Sequence, residues 1–289
     1  MPFPKPLRGS SPILPLTLLI ALVGGGGWLW YESQPRPVAA IPPRGEAGPV
    51  TIRLPDGTVQ EVGVEDAPAG EASPPTRAAA PESRWEEEIA RYEAAAREAP
   101  PAAGAVILLG ASNIRMWETL AADFPGLEVV NRGVGGCKLT EIAGFAPRLL
   151  AAAKPGAVVI SAGSNDIHGG ADAEAVLAAW RDIIATIRRD HPTVPILVMG
   201  ILPAKSRWEE RETQTTANGL IQAAIAAAGG VIDGGPVEYL DVWGDFVGRD
   251  GAPDPEAFLD DDLHPSAIGN ARRAARMRPV LDRLIAAGQ

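Results

Sequence analysis

Cysteine is nearly missing: the 289 residues contain one, Cys137. A single thiol forms no intrachain disulfide, so the fold must rest on packing rather than on cross-links. A lone free cysteine usually packs as a small core residue, and Cys137 is read that way. Histidine is almost as scarce. His168, His191 and His264 lie far apart and build no Cys/His cluster with zinc spacing. Neither a metal nor an organic cofactor is expected. Positive charge is also short, with 26 Lys and Arg against 36 Asp and Glu, a net charge of -10. The chain as a whole therefore lacks the basic footprint of a nucleic-acid binder.

One segment lacks charge altogether. After Lys5 and Arg8, residues 9–31 carry none. As a helix this stretch would run roughly 34 Å at about 1.5 Å per residue, enough to cross a bilayer. Trp28, Trp30 and Tyr31 stand at its far end, where amphipathic rings favour the interface, and the preceding basic residues favour a cytoplasmic N-terminus. Pro12, Pro15 and glycines 24–27 interrupt it, and its strongly apolar part, residues 13–23, has signal-peptide length. Residues 1–31 thus read as a signal-anchor or as a cleaved signal peptide. Both place the bulk of the chain outside the cytoplasm, in a periplasm or at a cell surface, with membrane contact through the N-terminal segment.

Residues 32–81 are rich in Pro, Ala and Gly, the composition of a semi-rigid linker. One island, residues 50–62, alternates apolar and polar around Pro55-Asp56-Gly57 and predicts a small hairpin.

From residue 82 to 289 the pattern changes. Trp85, Ile89 and Tyr92 share one face of a predicted lead-in helix. Short apolar runs at 106–109, 127–130, 157–161, 196–200 and 237–242 predict five strands. Helical patterns fall between them at 113–122, 139–153, 173–189 and 209–228, with a last helix at 266–287. Alternation of this kind predicts an α/β domain, a doubly wound five-stranded parallel sheet in three layers. Ligands of such sheets bind beyond the carboxyl ends of the strands. Four polar segments fall there: Ser112 in "LGASNIRMW", "NRGVGG", "GSND" and "LDDDLHPS".

Each segment has an ordinary reading. Ser112 could cap the helix behind it, and the Asn and Gly residues could be turn formers. The acidic residues 260–262 could simply be a solvated loop. The sharper reading takes Ser112 as a nucleophile near a helix N-terminus. His264 is its base, and Asp261, three residues earlier, fixes the imidazole tautomer. Gly133 offers a backbone N–H that a ligand can approach closely, and Asn165 offers a side-chain amide for a developing oxyanion. His168, in "NDIHGG", is a rival base on the same rim without a carboxylate at matching spacing.

Taken in order, "LGASNIRMW", "NRGVGG", "GSND" and "DDLH" resemble the four blocks of the SGNH (GDSL-type) hydrolases, in their bacterial acetylhydrolase-like branch. The resemblance spans about 200 residues, from Ser83 to the C-terminus. It implies a flavodoxin-like fold and a serine esterase acting on short-chain, chiefly acetyl, esters. In that scheme Ser112, Asp261 and His264 are catalytic, and the Ser112 amide, Gly133 and Asn165 form the oxyanion hole. The implied partner is an acyl ester substrate, carried on envelope carbohydrate or lipid. Ala111 and Asn113 depart from the family's first block, which usually has Asp or Ser before the nucleophile and Ser or Thr after it. Two other roles use the same features: an O-acyltransferase acting on an envelope carbohydrate, and a tethered binding module with a degenerate site.

Overall fold

A computed structural model of the chain describes residues 50–53, 59–62 and 84–287. The predicted signal or anchor segment and most of the linker lie outside the described residues. Strands β1 (Val50–Arg53) and β2 (Val59–Val62) pair antiparallel, Val50 opposite Val62, as the alternation around Pro55-Asp56-Gly57 predicts. Among the described residues no helix is long and apolar enough to cross a membrane.

Helix α1 (Glu86–Glu98) leads into β3 (Val106–Gly110), the single turn α2 (Ser112–Arg115), the short α3 (Leu120–Asp123) and β4 (Val129–Gly133). Then follow α4 (Leu139–Leu150), β5 (Ala157–Ser161), α5 (Ser164–His168), α6 (Ala173–Asp190) and β6 (Ile196–Met199). A 3-10 segment, Lys205–Glu210, runs into α7 (Arg211–Ala227); β7 (Val231–Ile232), β8 (Gly235–Leu240) and α8 (Ala267–Ala287) complete the fold.

The main sheet has six strands in the order β4-β3-β5-β6-β8-β7. Five are parallel, and in chain order they run second, first, third, fourth, fifth, the doubly wound arrangement the pattern predicts. The prediction of a purely parallel, five-stranded sheet is corrected by β7, which pairs antiparallel with β8. Asp233 (φ 49°) and Gly234 (φ 86°) both take positive φ between them, the two-residue turn that Asp-Gly favours. Arg188 secures this hairpin by donating to the carbonyls of Ile232 and Pro236.

Strand β3 is buried along its whole length because both sheet faces are covered. Ile107 and Leu109 join the core that contains the buried faces of α1, α4, α6 and α7. Val106 and Leu108 join the opposite core, with Ile114, Trp117, Phe124, Met277 and Leu281. Burying each such large apolar side chain contributes roughly 1.5–3 kcal/mol.

Several predicted elements shift, among them the last parallel strand, which lies at 235–240 rather than 237–242. The second strand lies at 129–133 rather than 127–130, because an edge strand tolerates Asn131 and Arg132, whose polar groups find local partners. The helix predicted over 113–122 breaks into α2 and α3. Asp123 accepts from Trp117 Nε1 and Thr119 Oγ1, both at 2.6 Å, and this closes a turn where the helix would have continued.

Candidate active site

The chain turns sharply at the end of β3, and Gly110 allows it. A Cβ there would stand 2.4 Å from Ile114 Cγ1 and 2.5 Å from Ser161 O. Ser112 opens α2, yet its side chain caps nothing; the N-cap position is Ala111, without a side-chain bond. Instead, Ser112 Oγ lies 2.8 Å from His264 Nε2. Asn113 bonds sideways, its Nδ2 donating to Ser161 Oγ at 2.8 Å, and ties the turn to the end of β5.

His264 sits in the loop before α8. Its Nδ1 is 2.6 Å from Asp261 Oδ2, and Asp261 Oδ1 accepts from the backbone amides of Leu263 and His264, both at 2.9 Å. Burial alone would raise the Asp261 pKa, but the His264 ring N–H and the two amides outweigh it and hold the carboxyl at about 2. An ionised Asp261 accepts a hydrogen bond from Nδ1–H and keeps the proton on that nitrogen, so Nε2 is left as an acceptor for the Ser112 hydroxyl. A hydroxyl, an imidazole and a carboxylate in this linkage can generate a nucleophile at neutral pH.

The rival base is elsewhere. His168 Nδ1 pairs with Glu210 Oε1 at 2.6 Å, and His168 does not line the cleft around Ser112. His191 follows the end of α6, where burial lowers its pKa.

Asn165 lines the cleft beside Ser112. Its Nδ2 donates one N–H to Cys137 O at 3.0 Å, and an amide nitrogen has a second to give. Cys137 itself is fully buried, and burial pushes its thiol pKa well up, as a small core residue requires.

Gly133 requires correction. Its N–H donates to Asn131 Oδ1 at 2.9 Å, and its backbone packs so tightly on α2 that a Cβ would stand 2.2 Å from Arg115 N. It does not line the cleft; Gly135 and Gly136 do. Residues near α1 clamp this loop by its carbonyls: Tyr92 Oη donates to Gly133 O at 2.7 Å, Trp85 Nε1 to Gly135 O at 2.6 Å and Arg84 Nη2 to Gly136 O at 3.2 Å. No cis peptide occurs among the described residues, so the Gly136 N–H points opposite to the Gly135 carbonyl, away from Trp85. The amides of Gly136 and Ser112 donate to no protein group among the described residues. The glycine run was legible in the sequence. Which of its amides is free depends on the clamp.

Two further residues escaped the sequence reading. Arg273, wholly buried on α8, donates to Asn113 O at 2.7 Å and lies 3.8 Å from the Trp117 ring centroid, joining α8 to the turn that carries Ser112. Burial lowers its pKa to about 9, although Asp123 opposes the shift. The available signal was an arginine falling among the buried positions Asn270, Ala274, Met277 and Leu281. Asp166, beside Asn165, accepts the Leu139 amide at the start of α4, and its burial raises its pKa to about 6.

The cleft has two parts. A recess of about 50 Å3 is walled by Ala111, Gly163, Ile201, Leu202 and Leu263 among others. It opens on a broader groove of about 580 Å3 bounded by Arg84, Arg115, Gly136 and Arg207.

Residues 102–272 match the GDSL-like lipase/acylhydrolase family, and the chain belongs to it. It is a carboxylic ester hydrolase by that membership. Solved structures with a similar fold include a GDSL-like lipase from Bacteroides thetaiotaomicron, 19% identical, TM-score 0.56, covering 68% of this chain and 98% of that one. A family 3 carbohydrate esterase from Clostridium thermocellum is 18% identical, TM-score 0.51, covering 65% and 100%. A family 3 carbohydrate esterase from Talaromyces cellulolyticus is 20% identical, TM-score 0.50, covering 64% and 99%. No curated protein matches the chain.

Proposed function

We propose that the protein is an exported serine esterase that removes short acyl groups, chiefly acetyl, from hydroxyls of an envelope carbohydrate. The observation that carries this reading is the continuous linkage Ser112 Oγ, His264, Asp261, with contacts of 2.8 and 2.6 Å.

In the first half-reaction His264 Nε2 takes the Ser112 proton as Oγ attacks the ester carbonyl carbon. The tetrahedral oxyanion is received by the amides of Ser112 and Gly136 and by the second N–H of Asn165; Gly136 takes the role first assigned to Gly133. Each such donor is worth about 3 kcal/mol of barrier. Collapse breaks the bond to the alcohol oxygen, which leaves with the proton from His264. Water then gives a proton to His264 and attacks the acyl carbon, and the second collapse returns Ser112 and releases the carboxylic acid. Asp261 stays ionised throughout and stabilises the imidazolium.

A short acyl group is supported by the recess, which at about 50 Å3 is far smaller than the adjoining groove of about 580 Å3. A carbohydrate alcohol is supported by the names of the two similar carbohydrate esterases. Export is supported by the uncharged residues 9–31 behind Lys5 and Arg8.

The test is turnover of 4-nitrophenyl acyl esters of increasing chain length by the full chain and by Ser112→Ala. Acetate should be released fastest, and the variant should lose about 10⁶-fold in kcat while keeping its circular dichroism spectrum. Turnover retained by the variant, or none by the unmodified protein, overturns the reading.

A further inference from the structure

We propose that the alcohol part of the substrate is anionic, bearing a carboxylate or a phosphate that Arg84, Arg115 and Arg207 receive beside Ser112. This inference rests on the esterase reading and adds the charge of the leaving group to it.

The chain carries a net charge of -10, so an arbitrary surface patch should be acidic. The groove is the reverse: three arginines line it, and Glu88 is its one carboxylate. The arginines come from separate parts of the chain. Arg84 precedes α1, Arg115 ends α2, and Arg207 belongs to the 3-10 segment after β6.

Their donors are only partly used. Arg84 gives Nη2 to Gly136 O and lies 4.2 Å from the Trp85 ring centroid, with the residue exposed. Arg115 Nε is 2.7 Å from Glu88 Oε1, while the side chain remains half exposed; its Nη1 edge lies over Gly135, 3.1 Å from where a Cβ would be. Both guanidiniums therefore flank the turn that carries the Gly136 amide. Arg207 is only 12% exposed, and its Nη1 is buried without a hydrogen-bond partner among the described residues. Glu210 Oε1, at 3.8 Å, is too far to bond it and is already 2.6 Å from His168. Arg207 Nη1 is shut off from the groove beside Glu210, whose Oε2 is likewise buried without a partner; the side chain still lines the groove, where an anionic ligand would meet arginine in the bidentate geometry it prefers.

The two parts of the cleft divide the substrate. The recess is lined by no Asp, Glu, Lys or Arg side chain and suits the acyl methyl. The charge lies in the groove, on the side left for the alcohol.

The experiment compares kcat/KM of the full chain for an O-acetylated methyl uronoside with that for its carboxyl methyl ester, which has the same leaving oxygen. A parallel arm compares an O-acetylated hexose 6-phosphate with the neutral hexoside. At low salt at least one acid should be preferred by about tenfold or more, and the preferred arm tells carboxylate from phosphate. The preference should shrink at high sodium chloride and approach one in Arg84→Gln/Arg115→Gln/Arg207→Gln. A wild-type ratio of one or below in both arms, with the neutral esters still hydrolysed, overturns this proposal and leaves the esterase reading standing. A ratio that persists in the folded variant also overturns it. Should the variant not fold, a wild-type ratio unchanged between low salt and 1 M overturns it. No turnover of any ester defeats the esterase reading itself.

Discussion

Ser112 Oγ and His264 Nε2 are 2.8 Å apart, although 152 residues separate them in the chain. The hydroxyl stands after the first strand of the main sheet, and the imidazole stands on the loop before the last helix. Arg273 fastens that helix to the carbonyl of Asn113, the residue after Ser112. The two side chains are therefore mounted on elements that are bonded to each other.

His264 and His168 give opposite outcomes under the same substitution. On the proposed mechanism His264→Ala removes the base and should lower kcat by about 10⁴-fold or more. His168→Ala removes a partly exposed contact with Glu210 and should change kcat less than about threefold. Steady-state hydrolysis of 4-nitrophenyl acetate by both variants is the check.

Asp261→Asn should lower kcat by roughly 10³–10⁴-fold, since the ring loses the acceptor that fixes its tautomer. The native carboxyl titrates at about 2, below its usual unfolded value of about 3.9. Its contribution to stability is thus present above about pH 4 and lost as the pH falls toward 2. A kcat/KM profile between pH 4 and 8 should show no inflection from this group. Urea midpoints of the variant and the wild type should converge as the pH is lowered toward 2.

Trp85→Phe keeps the aromatic packing and deletes the 2.6 Å bond to Gly135 O. The Gly136 amide then loses part of its orientation. A net hydrogen bond of about 1 kcal/mol corresponds to roughly fivefold in kcat, with KM little changed. A kcat unaltered by this substitution would show that the clamp does not orient the amide.

Asp166 works in the opposite sense from Asp261. Burial raises its pKa to about 6, so the folded state holds its proton more tightly than the unfolded state, and stability falls as the pH rises from about 4 to 6. Asp166→Asn removes that dependence. The variant's urea midpoint, relative to wild type, should rise between pH 4 and pH 7 and then level off. A difference that stays flat across this range would contradict the buried carboxyl.

The order of strands and helices was legible because the apolar spacing of each segment reports its local geometry. The fully apolar run through Ile107, Leu108 and Leu109 marks a strand covered on both faces. The short strand β7 was legible too, had Asp233-Gly234 been read as a hairpin turn. The break between α2 and α3 was not, since it depends on where the Trp117 and Thr119 side chains meet Asp123.

What the sequence alone determined was the layered α/β domain and the polar segments at its strand ends, including Ser112, Asn165, Asp261 and His264. Only the tertiary structure decided that His264 rather than His168 meets the hydroxyl, that Gly136 rather than Gly133 has a free amide, and that three distant arginines border one groove. Periodicity is a property of neighbouring residues. The direction of a peptide N–H and the convergence of charges are set by contacts between segments far apart in the chain, such as Trp85 on Gly135.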